Sequence, residues 1–111
     1  MSHTFAPSTQ AIDVTPFGAR LAGARTHALF KSLDMEVIRV VLRAGQSLPP
    51  HKVPGSVSLH CLEGRLEVMV SGDSHALQAG QLMHLPAHAP HAVRALEDSS
   101  ALATIVLCSP A

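Results

Sequence analysis

Residues 57–70 read VSLHCLEGRLEVMV, two short apolar-rich runs separated by the turn pair Glu63-Gly64. In the second run Leu66, Val68 and Val70 alternate with Arg65, Glu67 and Met69, the period of a strand with one buried face. A β-hairpin is predicted, with Glu63 and Glu67 on its outer face. Toward the C-terminus, SGDS (71–74) is a turn, HALQAG (75–80) a short strand ending at Gly80, and QLMHLP (81–86) another. AHAPHAVRAL (87–96) follows the Pro86 corner, EDSS (97–100) turns the chain again, and ALATIVLC (101–108) is a mostly apolar strand. Toward the N-terminus, RAGQSLPPHKVPGS (43–56) collects Gly45, Pro49, Pro50, Pro54 and Gly55, which only a loop or an interrupted strand tolerates. MEVIRVVL (35–42) and THALFKS (26–32) are rich enough in β-branched and apolar residues to be strands, parted by a turn at Asp34. Gly18 and Gly23 weaken any helix in PFGARLAGAR (16–25), and residues 1–15 read as a flexible N-terminal arm. About eight short strands spaced by turns, with no convincing amphipathic helix, define an all-β sandwich or barrel.

The 111 residues suffice for one domain, and 47% apolar against 14% charged residues excludes a disordered chain. Eight Lys plus Arg balance eight Asp plus Glu, and Trp and Tyr are absent, so neither a field nor stacking platforms favour nucleic acid. No run approaches the roughly 20 apolar residues of a membrane span, and MSHTFAPSTQ lacks the features of a signal peptide. A cytoplasmic protein is expected, with Cys61 and Cys108 as buried thiols rather than a disulfide. The high apolar content and open sheet edges predict a homodimer, with the N-terminal arm and the Thr26 to Leu42 strands contributing. The informative excess is eight His, since imidazole is both a metal ligand and a group that titrates near neutrality.

Gly45, His51 and Gly64 resemble the first signature of the cupin superfamily, and Gly80, Pro86 and His91 the second. The phrases CLEGRLEV, LQAGQLMHLPAHAPHAV and ALEDSSALATI are similar to small bacterial RmlC-like cupins. The resemblance implies a single-domain double-stranded β-helix, or jelly-roll barrel, over residues 16–111. It also implies frequent dimers and an interior pocket that often holds a divalent metal.

In the usual pattern a His-x-His pair, a Glu and a later His bind the metal. Here those positions read His51, Val53, Val57 and His91. Valine has no lone pair, so His51 and His91 need a third ligand, for which His84 is the best placed. Strand alternation turns His60 away from a pocket that Val57 lines, and His88 lies in a corner between prolines. His88 also stands where Gly is usual, and Ala95 where Asn is usual. The pocket is expected to include Val53, Val57, Leu59 and Cys61, the thiol serving as a small hydrophobe.

Two functions follow from this composition. One is a metal-free binding module for a small, partly apolar molecule. The other is a metal-dependent enzyme of dioxygenase, isomerase or decarboxylase type, using Fe, Mn, Ni or Zn on a small organic acid or phenol. Hydrolysis by a nucleophile elbow and phosphate binding by a glycine-rich loop lack their motifs.

Overall fold

A computed structural model describes residues 9–51 and 53–107, with 49–51 described as backbone. A 3₁₀ turn spans Gly18–Gly23 and nine strands follow: β1 His27–Lys31, β2 Met35–Leu42, β3 Ser47–His51, β4 Val57–Glu63, β5 Arg65–Val70, β6 Asp73–Gln78, β7 Leu82–Leu85, β8 His91–Ala95 and β9 Ser99–Val106. They form a five-stranded sheet in the order β1-β2-β9-β4-β7 and a four-stranded sheet in the order β3-β8-β5-β6. The fold is all-β, two sheets closing on one core as a jelly-roll double-stranded β-helix. Among the described residues no helix is long and apolar enough to cross a membrane.

The alternation in β5 is borne out, for Leu66 and Val68 are buried and Arg65 and Met69 exposed. The predicted hairpin between β4 and β5 is not. These strands belong to different sheets, and Glu63-Gly64 is the corner between them. Gly64 has φ 84°, and a Cβ on it would overlap the Asp98 carbonyl and Ser99, so only glycine lets the chain cross here. The true hairpins are β1–β2 and β5–β6. Strand β3 runs through the breaker-rich segment because it is an edge strand, where prolines cost no ladder bond on the open side. Its register with β8 shifts between Leu48 and His51.

The inward rows of the larger sheet (Val40 and Leu42, Ala101 and Ala103, Val57, Leu59 and Cys61) meet Leu66, Val68, Val93 and Ala95 of the smaller one. The outward face of the smaller sheet is solvated, with Arg94–Glu67 and Arg65–Glu97 ion pairs of the exposed kind that contribute little.

Residues 1–8 of the expected arm lie outside the described residues, but its end is tethered: the Thr15 carbonyl accepts from Arg39 Nη2 at 2.9 Å. Arg39 lies on the outward side of β2, yet it is 3% exposed because Phe17 covers it, 3.9 Å from guanidinium to ring centroid. Glu63 is likewise covered, its side chain 14% exposed. Its carboxylate accepts from the amides of Phe17 (3.0 Å) and Gly18 (3.1 Å), from the Ser100 hydroxyl and from Arg39 (3.3 Å). Burial would push Glu63 up, but the Ser100 hydroxyl, the two amides and then Arg39 outweigh it and hold the carboxyl below its ordinary range. One carboxylate thus clasps the N-terminal segment onto the sheet.

Candidate functional site

Between the two sheets lies a cavity of about 130 Å³. Strand alternation builds its walls. Val57 and Leu59 face it from β4, Leu85 from β7, His91 and Val93 from β8, and Val53 from the loop before β4. The expected pocket residues Val53, Val57 and Leu59 therefore come together. Cys61 does not join the cavity lining. It follows on the same face of β4 but is packed fully inside the core, where its thiol donates to the Glu63 carbonyl at 3.4 Å. Burial pushes this thiol up, opposed by that hydrogen bond, which suits a packing group.

His91 is 4% exposed and is the only polar side chain among the described residues that line the cavity. Its Nδ1 is 3.3 Å from the Ala89 carbonyl, which can only accept. The ring therefore donates there. The backbone of His51 pairs directly with that of His91 across β3 and β8. The His51 side chain lies outside the described residues.

His84, the expected third ligand, is turned the other way. Met83 and Leu85 take the inward positions of β7, which leaves His84 and Leu82 exposed on the outer face, with His84 opposite Ser58. His60 also lies on that outer side, on the alternate positions to Val57 and Leu59. His88 is exposed at φ 64°, and its amide donates to the Val53 carbonyl at 2.9 Å, so its backbone positions a wall residue while its side chain is outside the lining.

Several walls were not anticipated: Ile38, Leu48, Leu66, Leu85 and Val93 carry no chemical mark that separates a cavity wall from ordinary core. Among the described residues no three His, Cys, Asp or Glu side chains gather where they would hold a metal. The valines at 53 and 57 add no donor, so the described donor set falls short of the three protein ligands of an open catalytic site.

An apolar cavity between jelly-roll sheets, with His91 in its wall, defines a small barrel of the cupin class. The profile of the Cupin domain family (Cupin_2) matches residues 38–108, and the chain belongs to that family. Solved structures show the same fold. The conserved protein SPY1581 of unknown function from Streptococcus pyogenes is 21% identical with a TM-score of 0.76, covering 100% of this chain and 99% of that one. A cupin superfamily protein from Desulfitobacterium hafniense is 16% identical with a TM-score of 0.76, covering 92% and 94%. KdgF from Halomonas sp. is 22% identical with a TM-score of 0.68, covering 75% and 77%. No curated protein matches the sequence.

Proposed function

We propose that this chain is a ligand-binding cupin that holds a small, largely apolar molecule between its sheets. The observation that carries the reading is the lining of the cavity, where His91 is set among aliphatic walls. Pockets of this composition gain affinity from apolar burial and orientation from a few polar groups. Val53 and Val57 stand where donors are usual in the family, and each makes the interior less polar. A thermal-shift screen with phenols, carboxylates and sugars tests it: at least one class raises the melting temperature, and a flat response to all of them at millimolar concentration removes the reading.

A second reading is a metal-dependent enzyme with a divalent ion on His51 and His91. The direct backbone pairing of these residues favours it, and the shortage of further donors counts against it. Elemental analysis of untagged protein from metal-supplemented cells decides: less than about a tenth of an equivalent per chain rejects a site of ordinary affinity. We also place the protein in the cytoplasm as a homodimer. The free Cys61 thiol supports the first, and Leu82, 66% exposed on edge strand β7, supports the second. Analytical ultracentrifugation showing a monomer rejects the dimer.

A further inference from the structure

We propose that two copies of this chain pair through the open edge of β7, joining their five-stranded sheets into one continuous sheet. This rests on the reading above that the protein is a homodimer, and assigns the surface that makes it one.

Among the described residues the two sheets leave four edges: β1 and β7 of the larger, β3 and β6 of the smaller. An open edge is a row of backbone donors and acceptors that pairs with another chain unless something blunts it. Strand β1 breaks register between Ala28 and Phe30 and ends on the exposed Lys31. Strand β3 carries Pro49 and Pro50 and shifts register between Leu48 and His51. Strand β6 opens on the exposed Asp73 and is polar, with Leu77 its buried residue. Strand β7 has no proline, charge or register shift, and its Leu82 is 66% exposed. It is the edge left fit for a partner.

The backbone fixes how the partner fits. Across β4 and β7 the Gln81 carbonyl accepts from the Cys61 amide at 3.0 Å. Bonding direction alternates along a strand, so Met83 and Leu85 also bond toward β4, while the amides and carbonyls of Leu82 and His84 face the open edge. A two-fold axis normal to the sheet beside Met83 sets Leu82 of one copy against His84 of the other, and each amide there meets a carbonyl. An axis beside Leu82 would run His84 into the turn at Gly80, where φ is 86°, and one beside His84 would set Leu82 against Pro86, which has no amide.

The side chains agree with that register. It covers Leu82, and it lays the two Met83 side chains together at the groove between β6 and β7, which His75, Leu77, Gln81 and Met83 help to line. Residues 74–93 hold no Asp, Glu, Lys or Arg, although the chain has eight acidic and eight basic residues. A two-fold contact opposes each group to its own copy, so an uncharged stretch is the one that sets no like charges together. A strand of four residues with the rim of β6 makes a small interface, roughly 1,000–1,200 Å² in total, at the lower limit for a specific dimer.

Sedimentation of the full chain over a concentration series, with amide hydrogen exchange at its two ends, tests the edge. A monomer–dimer equilibrium is expected. The Leu82 and His84 amides, open to water in the monomer, should exchange about tenfold slower where about nine-tenths of the chains are paired. Leu82→Lys is expected to raise the dimer Kd about tenfold or more, by putting a charge on the edge and against its own copy. His84→Pro removes an amide that bonds only across the axis, and should weaken the dimer similarly. His27→Lys, on the exposed start of β1, should leave it unchanged. If His84→Pro does not fold, Leu82→Lys and the amide exchange decide. A monomer at every concentration would overturn the homodimer and this edge with it. A dimer that Leu82→Lys leaves intact, or whose Leu82 and His84 amides exchange equally fast at both concentrations, would overturn the β7 edge while leaving the homodimer.

Discussion

Replacing Glu63 by alanine removes the acceptor for the Phe17 and Gly18 amides and the Ser100 hydroxyl, and strips Arg39 of its counter-ion. Arg39 cannot escape to water: its side chain is 3% exposed, and among the described residues its Nε has no hydrogen-bond partner. Removing one member of a buried ion pair costs about 3–5 kcal/mol. Because the Glu63 side chain is 14% exposed, the lower end applies, and a loss of about 2–4 kcal/mol is expected. For a domain of this size that corresponds to a melting temperature lower by on the order of 10 °C or more. Urea unfolding followed by circular dichroism measures the loss, and limited trypsin digestion locates it, since Arg20 and Arg25 lie in and just after the clasped 3₁₀ turn. Cleavage there should accelerate. The double variant Arg39→Met, Glu63→Leu should lose less than Glu63→Ala, because no charge is left buried without a partner. A stability of Glu63→Ala within about 0.5 kcal/mol of the parent, with unchanged digestion, would refute the clasp.

The same carboxylate carries a pH signature. Its folded pKa lies below the ordinary 4.5, so the unfolded chain binds more protons and the contribution is complete above that value. As pH falls through the folded pKa the contribution disappears, so the stability gap between parent and Glu63→Gln should narrow on acidification below 4.5, measured by urea unfolding at a series of pH values. Cys61, buried with its thiol held protonated, should resist thiol reagents at neutral pH and label only in denaturant, as mass spectrometry of its peptide will show. Leu85→Ala deletes a wall side chain that is 1% exposed, costing about 2–5 kcal/mol and enlarging the cavity, so larger aromatic probes should bind better relative to phenol.

Local periodicity made much of the fold legible. The alternation of β5 and the β-branched run of β2 declare strands without help from the rest of the chain, and the cupin signatures add the architecture. What escaped depends on contacts between distant residues. The corner at Gly64 looks like a hairpin until its collision with Asp98 and Ser99 is known. His84 could not be assigned a face, because Leu82 and His84 alternate with Met83 and Leu85 and neither pair is plainly more apolar. Pairing with β4, which sets Met83 opposite Leu59, decides it. Val57 and Leu59 were legible as pocket residues because alternation puts them on one face of β4, yet only packing shows that the cavity ends before Cys61 on that same face. The Glu63 clasp joins segments 24 and more residues apart, and the one local hint is an arginine inside the apolar run MEVIRVVL.

The most direct test is where a bound molecule sits. With methyl-labelled protein and phenol as the probe, intermolecular NOEs should run from the ring protons to the methyl groups of Val57, Leu59 and Val93, which face one another across the cavity. NOEs confined to exposed positions such as Leu82, or none at a saturating concentration, would contradict the account.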